Sequence, residues 1–202
     1  MENAIQTVLI GGNYRGGTSV LTKMVVQCGF ALPGEYGKNL ENRALQAILH
    51  RRRKANKKEL KPLIEKYDAT HPRWVLKHPG VHRHLSRAIS LWRSPGVILI
   101  LRDAVASAQS EKRNGHKKPI EELYLRNQEN NAAMLKTAQD LKKKGTPVLL
   151  LSYEHLLQRT ASVAEQLVNF LGSGQVEELM PYVGLENRSL FPPGVEPKTA
   201  ES

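Results

Sequence analysis

The sequence predicts an α/β protein of three layers, a parallel β-sheet with helices on both faces. Three observations carry this expectation. Four short apolar runs are continuously rather than alternately hydrophobic, the pattern of strands buried on both faces. Helical patterns lie between them, and strand–helix alternation builds parallel sheets through right-handed crossovers. The 202 residues, 40% hydrophobic and 24% charged, suffice for one sizeable core and hardly for two. One domain is therefore expected over residues 1–188, with 189–202 (SLFPPGVEPKTAES) as an irregular tail. No internal repeat is visible.

The first strand is expected at residues 7–10 (TVLI), with a helix over 18–29. Leu40, Ala44, Leu45 and Ile48 form one apolar helical stripe. Residues 50–61 (HRRRKANKKELK) hold seven bases against one acid. This run reads first as a solvated helix end and loop, and alternatively as a dock for an acidic acceptor or nucleic acid. It contains no aromatic residue, hence no stacking platform for single strands. The second strand is expected at 74–76 (WVL), and Val81, Leu85, Ala88, Ile89 and Trp92 give another helical stripe. The third strand is expected at 97–101 (VILIL). Pro119 and Gly145 bracket a long helix over 119–144. The fourth strand is expected at 148–151 (VLLL). Ser162 and Glu165 have the spacing of a capping box for a helix running to Leu171, with Gly172 as its stop.

The net charge is +11, unevenly spread. Residues 160–202 hold six acids against two bases, which leaves −4 there and +15 in residues 1–159. So basic a body expects an anionic partner: a nucleotide, a sulfated or phosphorylated substrate, nucleic acid or an acidic surface. A single cysteine, Cys28, excludes an intrachain disulfide framework and a multi-Cys zinc site, and its apolar helix suggests a core role. No apolar run approaches the roughly 18–20 residues of a membrane span. The first residues, MENAIQTVLIGG, lack the basic start and cleavage pattern of a signal peptide. A soluble, cytoplasmic protein is expected.

The segment TVLIGGNYRGGTSVL carries the most information. Gly12 and Gly17 have the spacing of a phosphate-binding P-loop, G-x-x-x-x-G-K-[ST], with Thr18 where its lysine stands and Ser19 at the final position. Glycines let backbone N–H groups turn toward one anion, and the helix start adds its positive end. Arg15 puts a cation inside the loop. The same residues also read as a plain tight turn. In VILILRDAVASAQS, Arg102 ends a strand and Ser110 follows eight residues later. Ligands of open α/β sheets bind outside the strands' carboxyl ends, so this pair can meet a second phosphate. Alternatively, Arg102 and Asp103 merely end the strand, with Asp103 capping a helix. Lys77, His78 and Pro79 follow the second strand, and Tyr153 and Glu154 the fourth. Four strand ends thus deliver Arg15, Lys77, Arg102 and Tyr153 toward one sheet edge.

The set resembles the sulfotransferase family that uses 3′-phosphoadenosine 5′-phosphosulfate (PAPS). Arg15-Gly16-Gly17-Thr18-Ser19 is similar to that family's first motif, [RK]-[SG]-G-T-[TS], which holds the 5′-phosphosulfate. Arg102 and Ser110 match the spacing of its 3′-phosphate pair. Lys77-His78-Pro79 resembles the K-x-P turn of bacterial members. Tyr153-Glu154-His155-Leu156 resembles its Y-E-x-L, with the tyrosine near the adenine. The resemblance runs in ordered fragments from about Thr7 to Gly172. Gly16 stands where serine is commoner and Ala104 where proline is. No late basic glycine loop is evident, and Arg188 is its loose counterpart.

The resemblance implies a P-loop-type α/β enzyme that moves a sulfuryl group from PAPS to a hydroxyl or amine and releases adenosine 3′,5′-bisphosphate. Arg15 and Lys77 would meet charge at the leaving 5′-phosphate. Glu35, just after the loop helix, or His78 would be the general base. No metal is required, since Arg, Lys and N–H groups can meet the charges. The expected acceptor is a small molecule or carbohydrate, acidic ones included, and neither a membrane nor nucleic acid is an expected partner. His82 and His84, two apart, do not share a helix face and make no metal pair. Ser152 lacks a G-x-S-x-G setting. Two other readings stand beside this one. A small-molecule or nucleotide kinase would want the missing lysine and a Mg²⁺ site. A non-catalytic basic nucleotide- or nucleic-acid-binding protein would explain the charge but not the ordered motifs.

Overall fold

In a computed structural model of the protein, residues 4–37, 39–50 and 57–183 are described. The strands β1 (Thr7–Gly12), β2 (Trp74–Lys77), β3 (Pro95–Leu101) and β4 (Val148–Ser152) form one parallel sheet in the order β2-β1-β3-β4. β1 pairs on both sides, with Ile10 opposite Lys77 and Gly12 opposite Ile100. The helices are α1 (Thr18–Gln27), α2 (Arg43–His50), α3 (Lys57–Thr70), α4 (His82–Ala88), α5 (Ala104–Arg113), α6 (Ile120–Lys143), α7 (Tyr153–Gln158), α8 (Thr160–Leu171) and α9 (Val176–Leu179).

Alternation along the strands sorts the core onto two faces. Val8, Ile10, Val75, Ile98, Ile100 and Leu151 pack with Leu21, Met24 and Val25 of α1 and with Val163 and Leu167 of α8. Leu9, Trp74, Leu76, Val97 and Leu99 face Leu60 and Ile64 of α3, Leu85 of α4, and Met134 and Leu141 of α6. This is the expected layering, and both cores run along the strand interiors. Trp74 is the largest fully buried side chain. Its indole N–H donates to Asp68 at 2.8 Å, and its ring meets Tyr67 edge-on at 5.3 Å and Trp92 at 5.6 Å. Cys28 lies in the first core, as expected, and burial pushes its thiol pKa up to about 11. No helix among the described residues is long and apolar enough to cross a membrane.

The structure differs from expectation in three places. The basic run does not end in a loop: residues 57–61 open α3, which buries Leu60, Ile64 and Tyr67 along one face. Pro62 at its sixth position gives up one helical hydrogen bond, which those apolar contacts offset. Residues 51–56 of that run lie outside the described residues. α8 begins at Thr160, so Ser162 sits inside the first turn instead of capping it, while Gly172 ends the helix at φ 66° as expected. Residues 79–91 divide into α4 and two flanking 3₁₀ turns rather than one helix. The tail at 189–202 and Arg188 also lie outside the described residues.

Trp74→Ala should cost roughly 3–5 kcal/mol of stability, the range for emptying an aromatic core site, measured by urea denaturation. The fold should also weaken in mild acid through His82. Its neutral ring is buried against the Pro79 carbonyl at 3.3 Å, and its pKa is pushed from 6.5 down to about 4, first by desolvation and then by Arg83. The unfolded chain takes up this proton below its ordinary pKa while the folded chain does not. Stability present above pH 6.5 should thus be lost as the pH falls toward 4, and His82→Gln should flatten that part of the profile.

Candidate active site

The order β2-β1-β3 reverses direction at β1, which opens a crevice at the carboxyl ends of the strands. The loop after β1 turns tightly there, with the Asn13 carbonyl accepting the Gly16 N–H at 3.0 Å. A Cβ on Gly16 would lie 2.8 Å from that carbonyl oxygen. Arg15 (φ 60°) and Gly17 (φ 84°) are both left-handed. A Cβ on Gly17 would also come within 2.4 Å of the Tyr153 ring. Glycine is required at position 17 by both its torsion and its neighbour. No side chain caps α1, so its first-turn N–H groups remain available to an anion.

Arg102 directly follows β3, and its guanidinium lies 4.4 Å above the Tyr153 ring and donates to the Arg15 carbonyl. Tyr153 therefore packs the loop with its ring edge and carries Arg102 on its face. Asp103 caps α5 by accepting the Ala106 N–H at 2.7 Å. The capping reading and the placement of Arg102 at the crevice thus both hold geometrically. Glu154 accepts the Asp103 N–H at 3.0 Å and the Ser152 hydroxyl at 2.9 Å, which clamps the ends of β3 and β4 together.

β2 ends at Lys77, only 3% exposed, whose ammonium sits 3.0 Å from Glu41 and donates to the Asn39 carbonyl at 2.8 Å. Burial pushes the Lys77 pKa down, and Glu41 opposes that shift. The Asn39 carbonyl also accepts the Ser19 hydroxyl at 3.2 Å. Glu41 is held there because the next residue is anchored. Asn42 caps α2 by accepting the Leu45 N–H at 2.9 Å. Its amide donates to Pro33 and to the Tyr67 hydroxyl, both at 2.8 Å.

These groups line one cleft of about 710 Å³. It brings together Arg15, Gly16, Gly17, Thr18, Ser19, Lys77, Arg102, Ser110 and Tyr153. Among the described residues, three cations (Arg15, Lys77, Arg102) face it against one acid, Glu41. Two residues considered as bases stand elsewhere. Glu35, 85% exposed, is turned to Arg43 at 3.8 Å and does not line the cleft. Its backbone carbonyl accepts the Arg43 N–H at 2.9 Å, at the base of a hairpin-like turn. His78 is buried beside Gly80, and its ring is not part of the lining either. Sequence reasoning missed Glu41, Asn39 and Asn114, along with Tyr14, Leu157 and Val183 on the cleft wall. One available signal was Asn42, a helix cap that fixes its neighbour. Among the described residues no three His, Cys, Asp or Glu gather as metal ligands would.

Compared as a sequence, the chain matches no family model and no curated protein. Compared as a fold, it is similar to solved sulfotransferases. The sulfotransferase domain of the Synechococcus olefin synthase superposes with a TM-score of 0.57 at 17% identity, covering 93% of this chain and 80% of that one. The sulfotransferase domain from the curacin biosynthetic pathway gives 0.58 at 14% identity, with the same coverage of 93% and 80%. A Mycobacterium tuberculosis sulfotransferase gives 0.51 at 9% identity, covering 90% and 71%. At these identities the likeness is one of fold. Strand order, parallel pairing and the glycine loop at the sheet's carboxyl edge thus belong to a sulfotransferase-like fold.

Proposed function

We propose that the protein is a sulfotransferase, moving a sulfuryl group from PAPS to a hydroxyl or amine. The observation that carries this reading is that two groups suited to anions line one cleft. The Arg15–Ser19 loop is one, and Arg102 with Ser110 is the other. The lining fits a polyanion: uncapped N–H groups, hydroxyls of Thr18, Ser19 and Ser110, and three cations. When bound, PAPS supplies the sulfuryl group and departs as adenosine 3′,5′-bisphosphate.

The chain's own residues divide the remaining work. Loop N–H groups and the Thr18 and Ser19 hydroxyls orient the donor's 5′ end without reorganising, the condition under which fixed dipoles stabilise charge best. Arg15 and Lys77 carry the positive charge opposite the leaving oxygen. Arg102 and Ser110 hold the 3′-phosphate, and Leu157 and Val183 supply apolar wall beside Tyr153. The general base is Glu41 rather than Glu35 or His78, because among the described residues it is the acid that lines the cleft. Its carboxylate is held by Lys77 at 3.0 Å. Once Lys77 turns to the donor, the Glu41 carboxylate is free to accept the acceptor's proton. The acceptor is a small molecule or carbohydrate, and a protein with this much positive charge suits an acidic one.

Adenosine 3′,5′-bisphosphate should bind more tightly than AMP in titration calorimetry, with ATP as the test of a kinase reading. Arg102→Ala should weaken the bisphosphate roughly tenfold or more, the worth of one charge-assisted hydrogen bond, and AMP much less. Equal affinity for the two ligands in the wild type would remove the 3′-phosphate assignment. For the base, Glu41→Gln should lower turnover by roughly 10²–10⁴-fold. Bisphosphate affinity should hold, and Glu35→Gln and His78→Gln should have smaller effects on turnover. A Glu41→Gln enzyme that loses affinity and turnover together would reduce Glu41 to a partner for Lys77.

A further inference from the structure

α6 passes the cleft with a polar stripe where a core helix would carry an apolar one. Asn127, Asn130 and Asn131 share one helix face, and each bonds a different element. Asn127 donates to Glu111 of α5 at 3.0 Å, and Arg83 of α4 donates to Asn130. Asn131 bonds two strand ends at once. Its amide N–H donates to the Arg102 carbonyl at 2.9 Å, and its side-chain oxygen accepts the Asn13 amide N–H at 2.9 Å. Asn13 opens the glycine loop, and its own carbonyl closes the turn onto Gly16. Its side chain is 1% exposed, and its Oδ1 has no hydrogen-bond partner among the described residues. The bond to Asn131 is thus the hold on that side chain.

We propose that Asn131 is a positioning residue that sets the spacing between the two anion-binding places of the cleft. It lines neither and touches no ligand. It joins the backbone that carries Arg102 to the first residue of the loop, from a long helix that packs one face against the core. The inference rests on the PAPS reading of the cleft. A ligand with one phosphate engages one place and is indifferent to the spacing. A ligand with both phosphates needs the two places at a fixed separation, so looseness between them costs affinity for it alone.

The experiment is titration calorimetry of adenosine 3′,5′-bisphosphate and AMP against the full chain, with thermal melting of each variant alongside. Asn131→Ala should lower the bisphosphate-to-AMP affinity ratio roughly tenfold, about the net worth of one hydrogen bond. Thr137→Val, which removes a 3.2 Å bond from the same helix to the His82 carbonyl away from the cleft, should lower the melting temperature and leave the ratio unchanged. Asn131→Ser, whose hydroxyl is too short to span both partners, gives a second reading if the alanine variant folds poorly. A wild-type ratio well above one that survives in Asn131→Ala overturns this inference and leaves the PAPS reading intact. A wild-type ratio of one removes the PAPS reading and this inference with it. Failure of both Asn131 variants to fold would also overturn it, by making Asn131 a residue of the core.

Discussion

Parallel pairing of β1 with a neighbour on each side sets the level at which the cleft's loops leave the sheet. Ile10 lies opposite Lys77, and Gly12 opposite Ile100. The three chains therefore leave the sheet at nearly the same level, and Leu101 beside Ser152 extends that level to β4. A one-residue slip in any pair would turn a buried apolar set toward the wrong layer, so the two cores enforce the register. The chemistry at the rim is thus held by hydrophobic packing many residues away. Loops carry the polar groups, but the strands decide where those loops begin.

The electrostatics of the rim follow from that geometry. Bringing three cations to one edge is unfavourable unless each has local support. Arg102 leans on an aromatic face and a carbonyl, and Lys77 on a carboxylate and a carbonyl. Arg15 stays exposed to water. The buried pair of Lys77 and Glu41 is the costliest arrangement. Removing one member of such a pair leaves a charge in a poor solvent, typically at a cost of about 3–5 kcal/mol. The Lys77–Glu41 pair and the Asn39 carbonyl thereby settle the most deeply buried of the three charges.

Much of this was legible in the residues. Continuous apolar runs marked all four strands because parallel strands are covered on both faces. The spacing of Gly12, Gly17, Arg102 and Ser110 marked the cleft, since loops at strand ends have little freedom of place. Other features depend on partners remote in sequence. Lys57 to Lys61 looked like solvated chain because the burial of Leu60 and Ile64 needs core partners remote in sequence. Glu35 and Glu41 are indistinguishable by type and near in sequence. What separates them is Asn42, tied to Pro33 and Tyr67, against an exposed turn. The amides of α6 leave no local signal, since their partners lie up to 118 positions away.

The buried cysteine has a practical side. The chain holds one thiol, enclosed between α1 and the segment after α8, where the Ser173 hydroxyl donates to its carbonyl at 2.9 Å. A Cβ on Gly174 would lie 2.6 Å from the sulfur, so that side is closed as well. Alkylating reagents act on exposed thiolates, and this group is neither. Burial and the raised pKa thus shield the thiol of the folded wild-type protein from maleimides. A cysteine introduced at exposed Tyr14, on the cleft wall, would be the one reactive handle on the molecule, ready to carry a fluorophore that senses what enters.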